Sequence, residues 1–261
     1  MLTHVLLVAG REISHRLRYP SWALMEIAQP VLFLFFFGPL LTQFVRHTPG
    51  FPPGDSWTIF APALMIQMVL VGASTVGIGL LTEQRGGVLE RFLVTPMHPV
   101  SLLLGKVLTV TMTTLIQSCL IVLICVAAFD LRVPPTGLAA SLLLVALLAV
   151  ALASTSYAVA LRVPDENTLP TVINALLMPL LLLSGSFLPI TVGLAPRWLY
   201  EASRLNPVAY VMDATRAYFR GDFSAASSWA GAVCAVGLAV GAMAWAVASF
   251  RKLSWGAQRH M

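Results

Sequence analysis

Residues 107–129 read VLTVTMTTLIQSCLIVLICVAAF, a stretch without a single Asp, Glu, Lys or Arg. About 20 consecutive apolar residues carry a helix across the hydrocarbon of a bilayer, and a charge at its centre costs roughly 2.5–3.5 kcal/mol on insertion scales. This stretch therefore reads as one membrane crossing. Working outward from it, charge-free runs recur at 27–45, 56–82, 133–161, 167–196 and 223–250. The expected fold is an all-α integral membrane protein, a single domain over 1–261 with six transmembrane helices near 23–45, 57–82, 100–129, 137–161, 168–188 and 225–250.

Composition excludes the soluble alternative. Of the 261 residues, 58% are hydrophobic and only 10% charged, against about 25% charged in an ordinary soluble domain. So few polar side chains would not coat a soluble fold of this size, and lipid must serve as solvent for the excess. The net charge of +5 fits orientation and headgroup contact in such a chain, and no basic stripe suited to nucleic acid occurs. Cys119, Cys125 and Cys234 stand inside apolar runs without CxxC spacing and read as small core residues. The first twenty residues contain Arg11, Glu12, His15, Arg16 and Arg18, which breaks the apolar centre of a signal peptide, so the N-terminus is expected to be retained.

The segments between runs are specific. Leu2, Leu6, Leu7, Ile13 and Leu17 recur at near-helical spacing opposite charged residues, predicting an interfacial amphipathic helix over 2–18 that ends at Pro20. Residues 83–106 hold Glu83, Arg85, Glu90, Arg91, His98 and Lys106, a polar loop long enough for a short helix. Ten Lys and Arg fall on the side of both termini and six on the other, which predicts cytoplasmic termini. The last external segment carries Arg197, Arg204, Arg216 and Arg220, and its Glu201/Arg204 and Asp213/Arg216 spacings predict local pairing along a helix. With Pro189, Pro196 and Pro207 it reads as a re-entrant segment over 189–222, short helices that dip into the outer leaflet and return.

The stretch from Thr82 through Glu83, Arg85, Gly86, Gly87, Glu90, Arg91 and Phe92 to Thr95 and Pro96, continuing through Leu104-Gly105-Lys106, resembles the signature of ABC-2 type transporter permeases. A second match runs Leu183-Ser184-Gly185-Ser186-Phe187-Leu188-Pro189, then Leu205-Asn206-Pro207-Val208-Ala209-Tyr210, then Asp213 and Arg216. Within the family the chain looks nearest to short bacterial drug and antibiotic exporters of the daunorubicin-resistance type. The resemblance implies that two permease chains, identical or related, pair in a bacterial cytoplasmic membrane and sit on separate ATP-hydrolysing subunits. ATP and Mg would then be bound by that partner, and no cofactor by this chain. Gly105-Lys106 is followed by Val107, so no P-loop is present to cradle nucleotide phosphates.

By resemblance, residues 83–97 form the coupling helix that meets the ATPase through Glu90, Arg91, Phe92, Thr95 and Pro96. Gly86 and Gly87 would allow the bend out of the second span. The plain alternative is a solvated amphipathic loop. Candidates for the substrate path are Gln67 and Met68 in the second span and Thr171, Asn174 and Met178 in the fifth, the last three sharing one helix face beside Pro179. Hydrogen bonding between helices explains such residues equally well. Gly237 and Gly241 make a GxxxG pattern read as close packing against a neighbour in the same chain. Glu26, at the edge of the first span, reads as a headgroup-level acid or a proton relay.

The residues bear on three rival functions. An intramembrane protease at Ser186 lacks a base, since His4, His15, His47, His98 and His260 all fall outside the runs. A secondary carrier would place charged residues near the midplane, and the runs hold none. A scaffold that only anchors an ATPase remains open. The absence of a large external capture domain favours export of a hydrophobic or amphipathic drug, antibiotic or lipid over uptake.

Overall fold

A computed structural model describes residues 10, 28, 30–36, 38, 56–86, 99–163 and 168–257. Among these residues every regular element is helical and no strand occurs. The helices are α1 (Ser56–Arg85), α2 (Pro99–Phe129), α3 (Pro135–Ala160), α4 (Thr168–Leu183), α5 (Arg197–Arg204), α6 (Pro207–Phe219) and α7 (Ala226–Ala257). Residues 28, 30–36 and 38 are helical as well. Four helices, α1, α2, α3 and α7, contain segments long and apolar enough to cross a membrane. The interfacial helix expected at 2–18 and most of the expected first span lie outside the described residues.

Helix α1 runs on to Arg85 and α2 covers Pro99–Phe129, so Lys106, at the end of the polar stretch 83–106, sits two turns inside a helix. The run at 167–196 does not stay helical throughout. Helix α4 has 16 residues, about 24 Å at 1.5 Å per residue, and stops at Leu183 before a turn in which Gly185 takes φ 74°.

Local chemistry explains the ends. Helix α3 opens on Pro134 and Pro135, whose fixed φ and missing N–H suit a first turn. Helix α6 is capped by Asn206, whose side-chain oxygen accepts from the Val208 N–H at 2.9 Å. It closes in a Schellman arrangement: the Asp222 amide donates to the Ala217 carbonyl at 3.0 Å and the Gly221 amide to Tyr218 at 2.9 Å. Gly221 takes the positive φ, 76°, that this motif requires. Asp222 then shapes the turn that leads into α7, its carboxylate accepting from the Ser224 and Ala225 amides.

Helices α1 and α2 form an antiparallel hairpin fastened at both ends. Trp57 stacks on Phe129 with ring centroids 3.9 Å apart, and at the other end Lys106 Nζ meets Glu83 Oε1 at 2.8 Å. Helix α3 packs against α1, α2 and α7, and α6 lies between α3 and α7. The closest crossings use glycine. A Cβ at Gly77 would overlap the Ser156 backbone, one at Gly137 the Tyr218 carbonyl, and one at Gly231 Ala214 and the Tyr210 carbonyl. At the first crossing Ser156 Oγ also accepts from the Gly77 amide at 2.9 Å and donates to the Ser74 carbonyl.

The expected GxxxG contact is not among these crossings. Gly237 and Gly241 lie on the exposed side of α7, with nothing within 4 Å of an added Cβ, among exposed Val233, Val236 and Val240. The helix rotates its other face inward because Gly231 and Ala235 fit α6 more closely. The cysteines split likewise: Cys125 is in the core, Cys234 is half-buried, and Cys119 is exposed on α2.

Candidate functional site

Three groups of residues bear on function, and the first lies where α1 leaves the bundle. Glu83 occupies the last turn of α1, and its ion pair with Lys106 joins α1 to α2 at the foot of their connection. The ammonium side chain is 7% exposed and the carboxylate 30%. A buried Lys needs such a partner, since an unpaired charge there would carry the full desolvation cost. The Gly86 amide still donates to the Thr82 carbonyl at 3.0 Å, so helical bonding reaches the start of the connection. Arg85 ends α1. Gly87, Glu90, Arg91, Phe92, Thr95 and Pro96 lie outside the described residues.

The second group comprises the span candidates, which the structure does not bring to one point. Helix α4 turns Leu169, Ile173, Leu177 and Leu181 inward and packs on α1. Thr171, Asn174 and Met178 share the opposite, exposed face. Gln67 is half-buried on α1 and lines a water-sized cavity with Phe33, Trp57, Phe60 and Ser186. Met68 packs against the core from a partly buried position. Thr171, Asn174 and Met178 thus face away from the described interior of the bundle.

In the third group, residues far apart in sequence do meet. Arg216, 3% exposed, donates from one guanidinium nitrogen to the Gly185 carbonyl at 2.7 Å and from Nε toward the Ile59 carbonyl at 3.4 Å. One side chain therefore ties α6 to the turn after α4 and to the first turn of α1. Burial pulls this guanidinium down to about 10, against a raising influence from Asp213, so it remains a cation at neutral pH. Asn206 adds a second tie, donating to the Leu180 carbonyl at 2.7 Å while it caps α6 behind Pro207. Within the turn, Ser184 and Ser186 share a hydroxyl–hydroxyl bond of 2.6 Å, and Pro189 is buried beyond it.

The expected charge pairs are replaced by others. Arg197 pairs with Glu201 at 2.9 Å along α5, and Arg204 reaches Asp213 on α6 at 2.9 Å. The Arg204 guanidinium lies 5.0 Å from the Tyr200 ring centroid and 5.2 Å from that of Tyr210. The three-residue spacings were read along one helix, whereas the break at Pro207 turns α6 so that Asp213 faces α5 and Arg216 faces the core.

The sequence reading includes Lys106 in the family signature and Arg204 in a local pair, but not the partners the structure gives them, Glu83 and Asp213, and it does not include Ser156. Lys106 carried a usable signal, a cation just inside an apolar run. The Ser156 contact with Gly77 carried none.

Residues 3–219 match the ABC-2 type transporter family. The chain belongs to that family. It is similar to ycf38 of Cyanophora paradoxa, a protein provisionally named a transport permease, with 27% identity over 201 residues covering 76% of this chain and 68% of the relative. Similarity to ycf38 of Pyropia yezoensis is 26% over 204 residues, again 76% and 68% of the two chains. As an ABC-2 permease it is the membrane component of a transporter, distinct from the nucleotide-binding part, and members of the family are generally paired with an ABC ATPase subunit. The match covers both segments whose resemblance was read from sequence, 82–106 and 183–216.

Proposed function

We propose that this permease carries a hydrophobic or amphipathic molecule, a drug, antibiotic or lipid, outward across a bacterial cytoplasmic membrane, driven by ATP hydrolysed on a separate subunit. The observation that carries the reading is the α1–α2 hairpin. Its connection bears the family's coupling signature, Glu83 to Pro96, and its foot is braced by the Lys106–Glu83 pair. A push on that connection would reach both helices together, and conversion of a cytoplasmic push into altered helix packing requires such a lever.

In this reading the chain crosses six times, with the helical residues at 28–38 in the first span and α4 as the fifth, and both termini are cytoplasmic. The turn at Gly185 with α5 and α6 forms the re-entrant external segment over 189–222, held against α1 and α4 by Arg216 and Asn206. That packed outer end supports export, because it presents a closed plug over the core rather than an extended receiving surface. The outward-facing Thr171, Asn174 and Met178 would border a path shared with a second permease chain, identical or related, opposite Gln67 and Met68.

The test is copurification. The tagged chain, gently solubilised from its native host, is expected to bring down about one P-loop ATPase per copy, and to lose it when Glu90–Pro96 becomes a Gly/Ser linker. A folded preparation without an ATPase would favour a carrier or scaffold.

A further inference from the structure

A cavity of about 410 Å³ opens between α1 and α2, on the opposite side of α1's course from its external plug. Its position follows from helical spacing. Gly72, Thr75, Val76, Gly79 and Glu83 recur at intervals of three and four and make one face of α1. Lys106, Val110, Thr113, Thr114 and Gln117 do the same on α2, and Tyr157 of α3 closes the back. The proposed topology puts this cleft in the cytoplasmic half of the membrane, directly above the coupling connection. The volume falls within the range of about 300–1,000 Å³ that holds drug-sized molecules.

The lining has a definite chemistry. Thr75, Thr82, Thr113 and Thr114 each donate their hydroxyl proton to a carbonyl of their own helix. A hydroxyl that has spent its proton still accepts through its remaining lone pairs. At the mouth the Lys106 ammonium is buried behind its partner, while Glu83, the more exposed of the two, is bonded to it through Oε1. Glu83, 30% exposed and part of the cleft wall, keeps a second carboxylate oxygen beside the one that Lys106 holds. The polar end of the cleft therefore offers the threonine oxygens, the Gln117 amide and a carboxylate already shared with the Lys106 ammonium, so an added ammonium would bridge to that carboxylate opposite Lys106, with Val76, Leu80, Val110 and the Tyr157 ring for an apolar body. Two glycines keep it open: an added Cβ at Gly72 or Gly79 meets nothing within 4 Å.

We propose that the cleft between α1 and α2 binds an amphipathic amine, its ammonium on Glu83 and the threonine oxygens and its apolar body against α3. The proposal rests on the export reading for its purpose, as an inner-leaflet loading site, but not for its chemistry. A free amphiphile and an aminophospholipid headgroup share that chemistry, and the membrane composition separates them.

The experiment uses the full chain with any ATPase that copurifies, in phosphatidylcholine nanodiscs, titrated with dansylcadaverine and followed by dansyl anisotropy. Its N-acetyl and N-trimethyl derivatives remove the charge and the N–H donors respectively. Saturable binding of one probe per chain is expected, weakened about tenfold or more by either derivative, as the loss of a charge-assisted hydrogen bond requires. Gly79→Leu sets a side chain into the cleft from a position where an added Cβ meets nothing within 4 Å and should abolish binding, whereas Gly237→Leu, at a position on α7 equally open to a Cβ, should leave it unchanged. Phosphatidylethanolamine in the disc then names the source: competition points to the lipid, its failure to the free amine, and both outcomes uphold the site. Non-saturable binding, or equal binding by the Gly79→Leu protein, overturns it. The ATPase content of the same preparation is scored separately, so an ATPase without amine binding sinks the site alone, and amine binding without an ATPase sinks the export reading alone.

Discussion

Replacing Arg216 by Met should loosen the packed turn after α4 while leaving the rest of the bundle folded. The bond from the guanidinium to the Gly185 carbonyl is 2.7 Å and fully buried, and a hydrogen bond to a charged group contributes roughly 1.5–3 kcal/mol net. The 3.4 Å contact to the Ile59 carbonyl is near the limit of a useful bond and adds little. Against these stands relief of the guanidinium's burial, which the lowered proton affinity already signals, offset in turn by a buried Gly185 carbonyl left without a donor. A methionine fills most of the vacated volume. The balance is about 2 kcal/mol, equivalent to a roughly thirtyfold larger open population of the turn after α4. Hydrogen–deuterium exchange in detergent reads this directly, because the Ser186 amide is bonded within that turn, to Ser184 Oγ at 3.2 Å. Exchange there should accelerate by that factor, with Arg216→Lys intermediate, while amides in the middle of α3 keep their rates. Rates over 184–190 within threefold of the parent protein would refute the claim that Arg216 holds this turn.

Gly77→Val should destabilise the chain by about 3 kcal/mol or more, since the new side chain meets the Ser156 backbone rather than a yielding side chain, whereas Gly79→Ala on the same helix should be close to neutral; thermal unfolding in detergent compares them. Lys106→Met alone should cost about 1–2 kcal/mol through the half-exposed Glu83 it strands, and the double change with Glu83→Gln should recover most of it, as a double-mutant cycle on midpoint temperature will show. Asn206→Ala removes a cap of about 1 kcal/mol together with the tie to Leu180, so exchange should quicken at the first turn of α6 in parallel with the Arg216 effect.

Much of the bundle was legible because membrane insertion is governed by runs of charge-free residues. The runs at 56–82 and 133–161 correspond to α1 and α3 with ends displaced by a few residues. Helix ends were less legible where a polar residue has a partner across the bundle: Glu83 extends α1 beyond its charge-free run because Lys106 on α2 neutralises it, which no count along one segment reveals. The same limit applies to the external segment. Periodicity joins neighbours on one helix, so it matched Asp213 with Arg216, and the turn imposed by Asn206 and Pro207 hands Asp213 to Arg204 instead. For Gly237 and Gly241, spacing identified a smooth helix surface but not which way it turns. That direction was decided by the deeper notch at Gly231. Of the candidate site, the pairing of Gly185 with Arg216 was present as two halves of a motif, while the acceptor character of the α1–α2 cleft required knowing where each threonine proton goes.

The glycine crossings have a mechanical consequence. At Gly77, Gly137 and Gly231 the backbones of α1, α3, α6 and α7 touch with no side chain between them, and the Ser156 hydroxyl pins the first of these crossings against sliding. Those four helices behave as a stator, a block in which no element shifts without breaking backbone-level contact. Helix α4 lies outside that block: among the described residues it rests chiefly on α1 through a leucine and isoleucine stripe, carries Pro179 inside it, and is tied at its end by Asn206 and, through Gly185, by Arg216. A tilt of α4 would break those two ties and no backbone-level crossing, which makes it the element whose movement disturbs the block least.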